Sequence, residues 1–438
     1  MVRKEEGNKQ QTNQTTMHMQ NNNKILVSLP NGTCRLVTHT LKSYADIDYT
    51  FDESLVPNGI FREVYDYIKD RTDVPEQFIF TSVLAMFCGI VGNRISLKRS
   101  VWKIKPHDYF TLIGDRGDIN TALKSVSDIL YDLEDKITGN PYQRIFLYPE
   151  PYPQSSILRR LLDWMREESE NEFYARTFAK EKGKPEPPPK VAQQSGVAII
   201  YEVGVLFDAM KRDSNTELAY ALIQLWDGSS TDTMMSFRTY GMRRMWPVEF
   251  KNPALTLLSA STLRKFVEHL PKRYLDLILS RFQIINAGNR TQPRKPFTSF
   301  TENQDNHCEI LEKLKQFYQF VCRLSQAKAP VLVSDEAEAL DEQSAQAWHE
   351  ERLDLDATTA GYMTEITGRY MTRLDVRKVR YALLFSILEC YDQHGQSANA
   401  ITMTGTALQK AIEVCELFKK HTLHFLVKAK EIRPKLFR

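Results

Sequence analysis

Tyr109-Phe110-Thr111-Leu112-Ile113-Gly114-Asp115-Arg116-Gly117-Asp118-Ile119-Asn120-Thr121 is the stretch on which the fold turns. Five residues suited to a buried strand run into two glycines and then into an apolar periodicity of helical spacing that ends at Leu130. The outline is that of a phosphate-binding loop between strand and helix. A working loop of this kind reads G-x-x-x-x-G-K-[ST], with backbone amides facing the phosphates and a lysine on the β/γ oxygens. Here Gly114 and Thr121 occupy the first and last positions. Ile119 stands in place of the second glycine and Asn120 in place of the lysine.

Other short apolar segments surround this one. Gly196-Val-Ala-Ile-Ile-Tyr-Glu202 is a continuous strand ending in a carboxylate, where a nucleotide hydrolase carries Asp-Glu. The glutamate position is kept as Glu202 and the magnesium-positioning aspartate is replaced by Tyr201. Ala254 to Ala260 reads as a further buried strand, followed by Ser261. That hydroxyl either senses a γ-phosphate or belongs to an N-cap for the helix starting near Leu263. Phe282 to Ile285 is another strand, preceded by Arg281, which is either a phosphate-reaching finger or a solvent-facing or packing arginine. Continuous apolar strands alternating with helices indicate a mostly parallel sheet covered on both faces.

The chain has 438 residues, 42% hydrophobic and 26% charged, with a formal charge of +3. This is the composition of a globular protein with a sizeable core, and any nucleic-acid surface must be a local patch. The six cysteines are scattered and form no C-x-x-C pair, so they read as reduced thiols. The nine histidines lack metal-ligand spacing, and the sequence predicts no metal site. His421 and His424 read as solvent-exposed on a C-terminal helix. No apolar run reaches membrane-spanning length, and the cytoplasm is the expected location.

Along the chain, residues 1–23 read as a disordered tail and residues 24–53 as a short, strand-like extension. Pro57 to Lys69 and Pro75 to Val91 have helical spacing, and Ile95 to Lys103 suggests a strand pair. A short strand is expected over Arg144 to Tyr148 and a helix from Ser155 to about Lys180. The Pro- and Lys-rich residues 180–190 read as an exposed loop. The linker is placed at Gly288 to Glu302, with purely helical residues from Asp305. Arg373, Arg377 and Arg380 form the basic face of an amphipathic helix, which core packing accounts for. Arg290 to Lys295 and the tail from Lys428 to Arg438 read as solvated.

A nucleic-acid candidate is Ser236 to Trp246, where Arg238, Arg243 and Arg244 alternate with Phe237, Tyr240 and Trp246. Guanidinium groups on phosphates and rings under bases suit a single strand. The alternative is a β-hairpin whose aromatics pack on the core.

Taken in order, Gly114 to Thr121, Ala198 to Glu202, Leu255 to Ser261, Ser280-Arg281-Phe282, Met371 to Arg377 and Ala407 to Phe425 resemble a domain-of-unknown-function family of primase/helicase-like P-loop proteins of mobile elements, plasmids and phages. The resemblance extends from about Asn58 to Phe425. It implies a RecA/AAA-like α/β core over residues 54–300 and an all-helical C-terminal domain over 301–438. It also implies ATP and Mg as cofactors, single-stranded or forked DNA and replication proteins as partners, and a homo-oligomer. The nucleotide-binding set would be Gly114, Arg116, Gly117, Asn120, Thr121, Lys124 and Ser261, with Glu202 and Arg281 catalytic. Asn120 and Tyr201 depart from the family at the two charges on which phosphoryl transfer depends. A DNA- or partner-binding subunit with a decayed nucleotide site is therefore expected ahead of an active ATPase that uses Lys124 or Arg116 as substitute. A structural protein contacting neither nucleotide nor DNA is the third reading.

Overall fold

In the computed structural model, the residues described are 17–20, 24–28, 33–99, 102–139, 145–148, 195–211, 216–228, 234–237, 246–249, 253–288 and 304–437. The expected helix from Ser155, the loop at 180–190 and most of the expected linker lie outside them.

The centre is a five-stranded, all-parallel sheet. To number strands along the chain, β1 is Met17–Gln20, β2 Lys24–Ser28, β3 Cys34–Val37, β4 Leu97–Arg99, β5 Trp102–Ile104, β6 Tyr109–Ile113, β7 Leu147–Tyr148, β8 Ser195–Ile200, β9 Met234–Phe237, β10 Trp246–Glu249, β11 Ala254–Ser261 and β12 Phe282–Asn286. The spatial order of the sheet is β12-β6-β11-β8-β7. Strands β6, β8, β11 and β12 are buried along their whole length, which is why they read as unbroken apolar runs rather than alternating ones. Because all five run the same way, Ile113, Ile200 and Ser261 end at one edge of the sheet, and the residues before β6 and β12 lie at the other.

Helix α1 (Ile60–Arg71) and helix α2 (Glu76–Val91) precede the sheet, and all of α2 from Gln77 to Val91 is buried. A helix that is apolar all round belongs in a core. Strands β4 and β5 form the expected antiparallel hairpin. Helix α3 (Arg116–Thr138) follows β6, α4 (Val203–Lys211) and α5 (Thr216–Asp227) follow β8, and α6 (Leu263–His269) and the short α7 (Leu275–Leu279) lie between β11 and β12. The C-terminal helices are α8 (Gln304–Gln326), α9 (Asp335–Thr358), α10 (Tyr362–His394) and α11 (Gly405–Ile432).

Several expectations are revised. The region after Asp305 is not purely helical: β13 (Val331–Val333) pairs in parallel with β14 (Ile401–Met403), and each runs into a helix capped by a hydroxyl, Ser334 for α9 and Thr404 for α11. At the other end, β1, inside the stretch read as a tail, pairs with β2 of the strand-like extension.

The C-terminal helices also share one contiguous core with the sheet, running from Leu41 to Phe437. Tyr370 donates to Gln283 Oε1 at 2.6 Å and Tyr362 to Asp276 at 2.7 Å. The backbone amides of Ile284 and Asn286 on edge strand β12 donate to Thr422 Oγ1 at 3.1 Å and His421 Nδ1 at 3.3 Å on α11.

His421 and His424 are therefore buried, not exposed, because α11 lies against the sheet edge rather than at the periphery. Burial holds the His421 imidazole neutral, with its pKa pushed down to about 3. The tail also turns back inward. Arg433 donates to the carbonyls of Val267, Glu268 and Leu270 beside α6, and Leu436 and Phe437 are buried.

Candidate functional site

Parallel strands bring Gly114, Glu202 and Ser261 together at the carboxyl edge of the sheet, the edge where open α/β sheets bind ligands. The Gly114 amide donates to the Ser261 carbonyl at 3.3 Å. The Ser261 hydroxyl donates to Glu202 Oε1 at 2.6 Å, the Gly204 amide to the same oxygen at 3.3 Å, and Lys265 Nζ lies 3.7 Å from Oε2. Ser261 is thus a strand residue bonded to the carboxylate, and Thr262 occupies the N-cap position of α6. Beside them, His269 Nδ1 lies 2.7 Å from Asp208, and hydrogen bonding to His269 and Lys211 holds the Asp208 carboxyl below its usual range against the desolvation that raises it. A Cβ on Gly204 would touch both the His269 ring and Glu202, so all these groups share one small space. Lys265, His269 and Asp208 were not singled out from the sequence; their spacing signals nothing until α4 and α6 are packed together.

The loop itself is much shorter than its sequence outline suggests. Helix α3 begins at Arg116, so Arg116, Gly117, Asn120 and Thr121 are helical and only Gly114 and Asp115 connect strand to helix. No long amide cradle is left to wrap a phosphate. Gly114 also has a packing reason to be glycine: a Cβ there would come within 2.8 Å of the Phe78 ring. The Thr121 hydroxyl is spent on the Gly117 carbonyl at 2.8 Å, one helical turn back, instead of facing a cation. Asn120 is half-buried in the second turn.

Charge at this edge opposes a phosphate as well. Asp115 is the N-cap of α3 and Asp118 lies in its first turn, so the helix-dipole attraction there is offset by the helix's own carboxylates, while Lys265 lies beside Glu202. Lys124 is exposed and lies eight residues into α3, about 12 Å along the axis at 1.5 Å per residue. A lysine side chain does not span that distance back to the helix N-terminus. Among the described residues no cluster of three His, Cys, Asp or Glu is arranged to hold a metal ion.

Arg281 sits at the opposite edge, only 5% exposed. Its Nη2 lies 3.0 Å from both oxygens of Asp227, and its Nη1 donates to the Leu277 carbonyl at 2.9 Å. This is the geometry of a packing arginine. Around it lies a network built on the arginines of α10 and on Asp108, whose part in it no sequence pattern marked. Asp108, fully buried ahead of β6, accepts four hydrogen bonds: from Tyr109 N at 2.8 Å, Trp226 Nε1 at 2.6 Å, Arg377 Nε at 2.9 Å and Tyr381 OH at 2.6 Å. Arg380 donates to the carbonyls of His107 and Trp226. The basic face of α10 is turned inward, under the amino edge of the sheet.

Of the nucleic-acid candidates, Arg238, Tyr240, Arg243 and Arg244 lie outside the described residues. Trp246 opens β10, which pairs antiparallel with β9, with Trp246 opposite Phe237. A separate cleft of about 550 Å³ lies between α1, α3 and α8, where His307 bridges Tyr67 at 2.5 Å and Asp132 at 2.8 Å. No helix among the described residues is long and apolar enough to cross a membrane. No protein-family model matches this chain, and a search of curated proteins found no match.

Proposed function

We propose that this chain is a P-loop-like accessory protein of DNA replication whose nucleotide site has decayed, acting as a DNA- or partner-binding subunit. The observation that carries the reading is the sheet order. Numbered along the chain, the five parallel strands lie in the order fifth, first, fourth, third, second. In support of it, this order sets the strand leading into Gly114 between the strand ending at Ser261 and the strand that follows Arg281. Glu202 and Ser261 then meet at the carboxyl edge, as a carboxylate and a γ-phosphate sensor would. Decay is supported by the missing loop, the acidic first turn of α3, and the engagement of Glu202 by Ser261 and Lys265.

An active ATPase rescued by Lys124 is disfavoured by the distance along α3. DNA, replication proteins and self-assembly are the partners this reading requires. The test is calorimetric titration with Mg-ATP, followed by phosphate release with and without single-stranded DNA. The expected result is no turnover in either condition, together with salt-sensitive DNA retention that falls when Arg243 and Arg244 are both changed to Ala. DNA-stimulated phosphate release abolished by Glu202→Gln would overturn the decayed-site reading. DNA retention unaffected by salt and by the double substitution would favour a purely structural role.

A further inference from the structure

Four arginines converge on one tryptophan at the amino edge of the sheet. The guanidinium carbons of Arg380, Arg377, Arg281 and Arg373 lie 4.2, 5.2, 5.4 and 5.7 Å from the Trp226 ring centroid. Arg377 is fully buried, Arg380 and Arg281 nearly so, and Arg373 is half-buried. Among the described residues, the carboxylates bonded to them are Asp108 and Asp227. Four guanidinium groups against these two carboxylates leave a surplus of two positive charges. Lys105, bonded to the carbonyls of Gly228 and Pro253, has its pKa pushed down to about 7 by burial and by the charge of Arg380, so the surplus rests on the arginines.

Bare surplus charge in such a place is costly, because arginine keeps its proton and desolvation is not repaid by a partner. The strain registers on the groups themselves. Burial, followed by the charges of Arg281 and Arg377, pushes the Arg373 pKa down to about 9, and burial pushes that of Arg380 to about 10. The donors are also unspent. Arg377 Nη1 and Nη2 and the Nε atoms of Arg281, Arg373 and Arg380 are buried without a hydrogen-bond acceptor, although buried polar groups in proteins are almost always paired.

We infer that this arginine cluster around Trp226 is a binding site for a phosphate dianion, free or as part of a larger phosphorylated ligand. A doubly charged oxyanion matches the surplus of two, and its oxygens accept from planar N–H forks in the geometry guanidinium groups favour. The parts of the cluster that meet solvent are half-buried Arg373 and Asp227, whose side chain is 37% exposed. Asp227 now holds Arg281 and competes with the incoming anion for it. The site is at the opposite sheet edge from Gly114 and stands independently of the nucleotide-site reading.

The experiment is calorimetric and thermal-melt titration of the full chain with inorganic phosphate at pH 8, against sodium chloride at matched ionic strength. One equivalent of phosphate should bind and raise the melting temperature beyond the chloride control. Arg373→Gln, at the half-buried rim where folding is least at risk, should weaken binding at least tenfold. Asp227→Asn should tighten it severalfold by removing the competing charge, and Arg264→Gln on the exposed side of α6 should leave it unchanged. Stabilisation no greater than that by chloride would overturn the proposal, as would binding that Arg373→Gln leaves intact. Binding lost in Arg264→Gln but kept in Arg373→Gln would also overturn it, and would place the anion beside α6.

Discussion

Asp108→Asn is the substitution with the largest effect derivable from this structure. The carboxylate is fully buried and takes two donors on each oxygen, Tyr109 N and Trp226 Nε1 on Oδ1, and Arg377 Nε and Tyr381 OH on Oδ2. Asparagine has nearly the same shape but turns one acceptor into a donor, which must face a donor whichever way the amide points. It also removes the negative charge facing Arg377, which is itself 0% exposed. Breaking a buried pair from one side costs about 3–5 kcal/mol. The clashing amide belongs to the same loss and should not be counted twice, so the expected destabilisation is about 4 kcal/mol. Urea denaturation followed by tryptophan fluorescence would measure it, and one shared core predicts one transition. In a double-mutant cycle, Arg377→Met should restore about 2 kcal/mol in the Asp108→Asn background, since the stranded charge goes with it. A loss below about 1 kcal/mol for Asp108→Asn would refute the argument that this carboxylate anchors α10 under the sheet.

Three further outcomes are expected. Gly114→Ala should cost about 1–3 kcal/mol through overlap with Phe78 and be partly rescued by Phe78→Leu, as thermal melts would report; an unchanged stability would return Gly114 to a purely functional explanation. Burial raises the Asp392 carboxyl to about 6, so between about pH 4 and 6 the folded state binds more protons than the unfolded chain and this group's contribution falls as pH rises. Asp392→Asn should therefore raise stability at pH 7.5 and lose that advantage by pH 4, a crossover visible in denaturation midpoints at the two pH values. Gly59→Ala should destabilise strongly, because Gly59 has φ of +71° and its added methyl would overlap Asp392; a wild-type melting temperature would contradict this.

Much of the sheet was legible because burial on both faces writes itself into sequence as unbroken apolar runs. Tyr109–Ile113 appears with the boundaries expected from the sequence, and β11 and β12 each extend a single residue further. The start of α3 was not legible. Gly117 suggested a loop, yet a helix tolerates one interior glycine for about 1 kcal/mol, and Ile119, Ala122, Leu123 and Val126 repay it by facing the core. The meeting of Glu202 with Ser261 was implicit in the parallel strands, whereas Lys265 and His269 depended on how α6 packs. The arginine face of α10 was visible as a pattern but not as a site, since its partners Asp108 and Trp226 lie more than a hundred residues away in sequence. His421 and His424 misled for a related reason: closeness to a chain end says nothing about depth when the last helix is packed against the sheet.

That last helix has a consequence for how the chain is made. Strand β12 is an outer strand, and two of its amides are satisfied by Thr422 and His421 from α11 instead of by another strand. A ribosome completes β12 well over a hundred residues before it releases α11, so through that interval the emerging sheet carries a bare ladder of the kind that recruits foreign strands. Helix α11 is thus a stopper fitted long after the sheet is made, and a chain truncated before Thr422 would be expected to accumulate as aggregate rather than as a smaller folded protein.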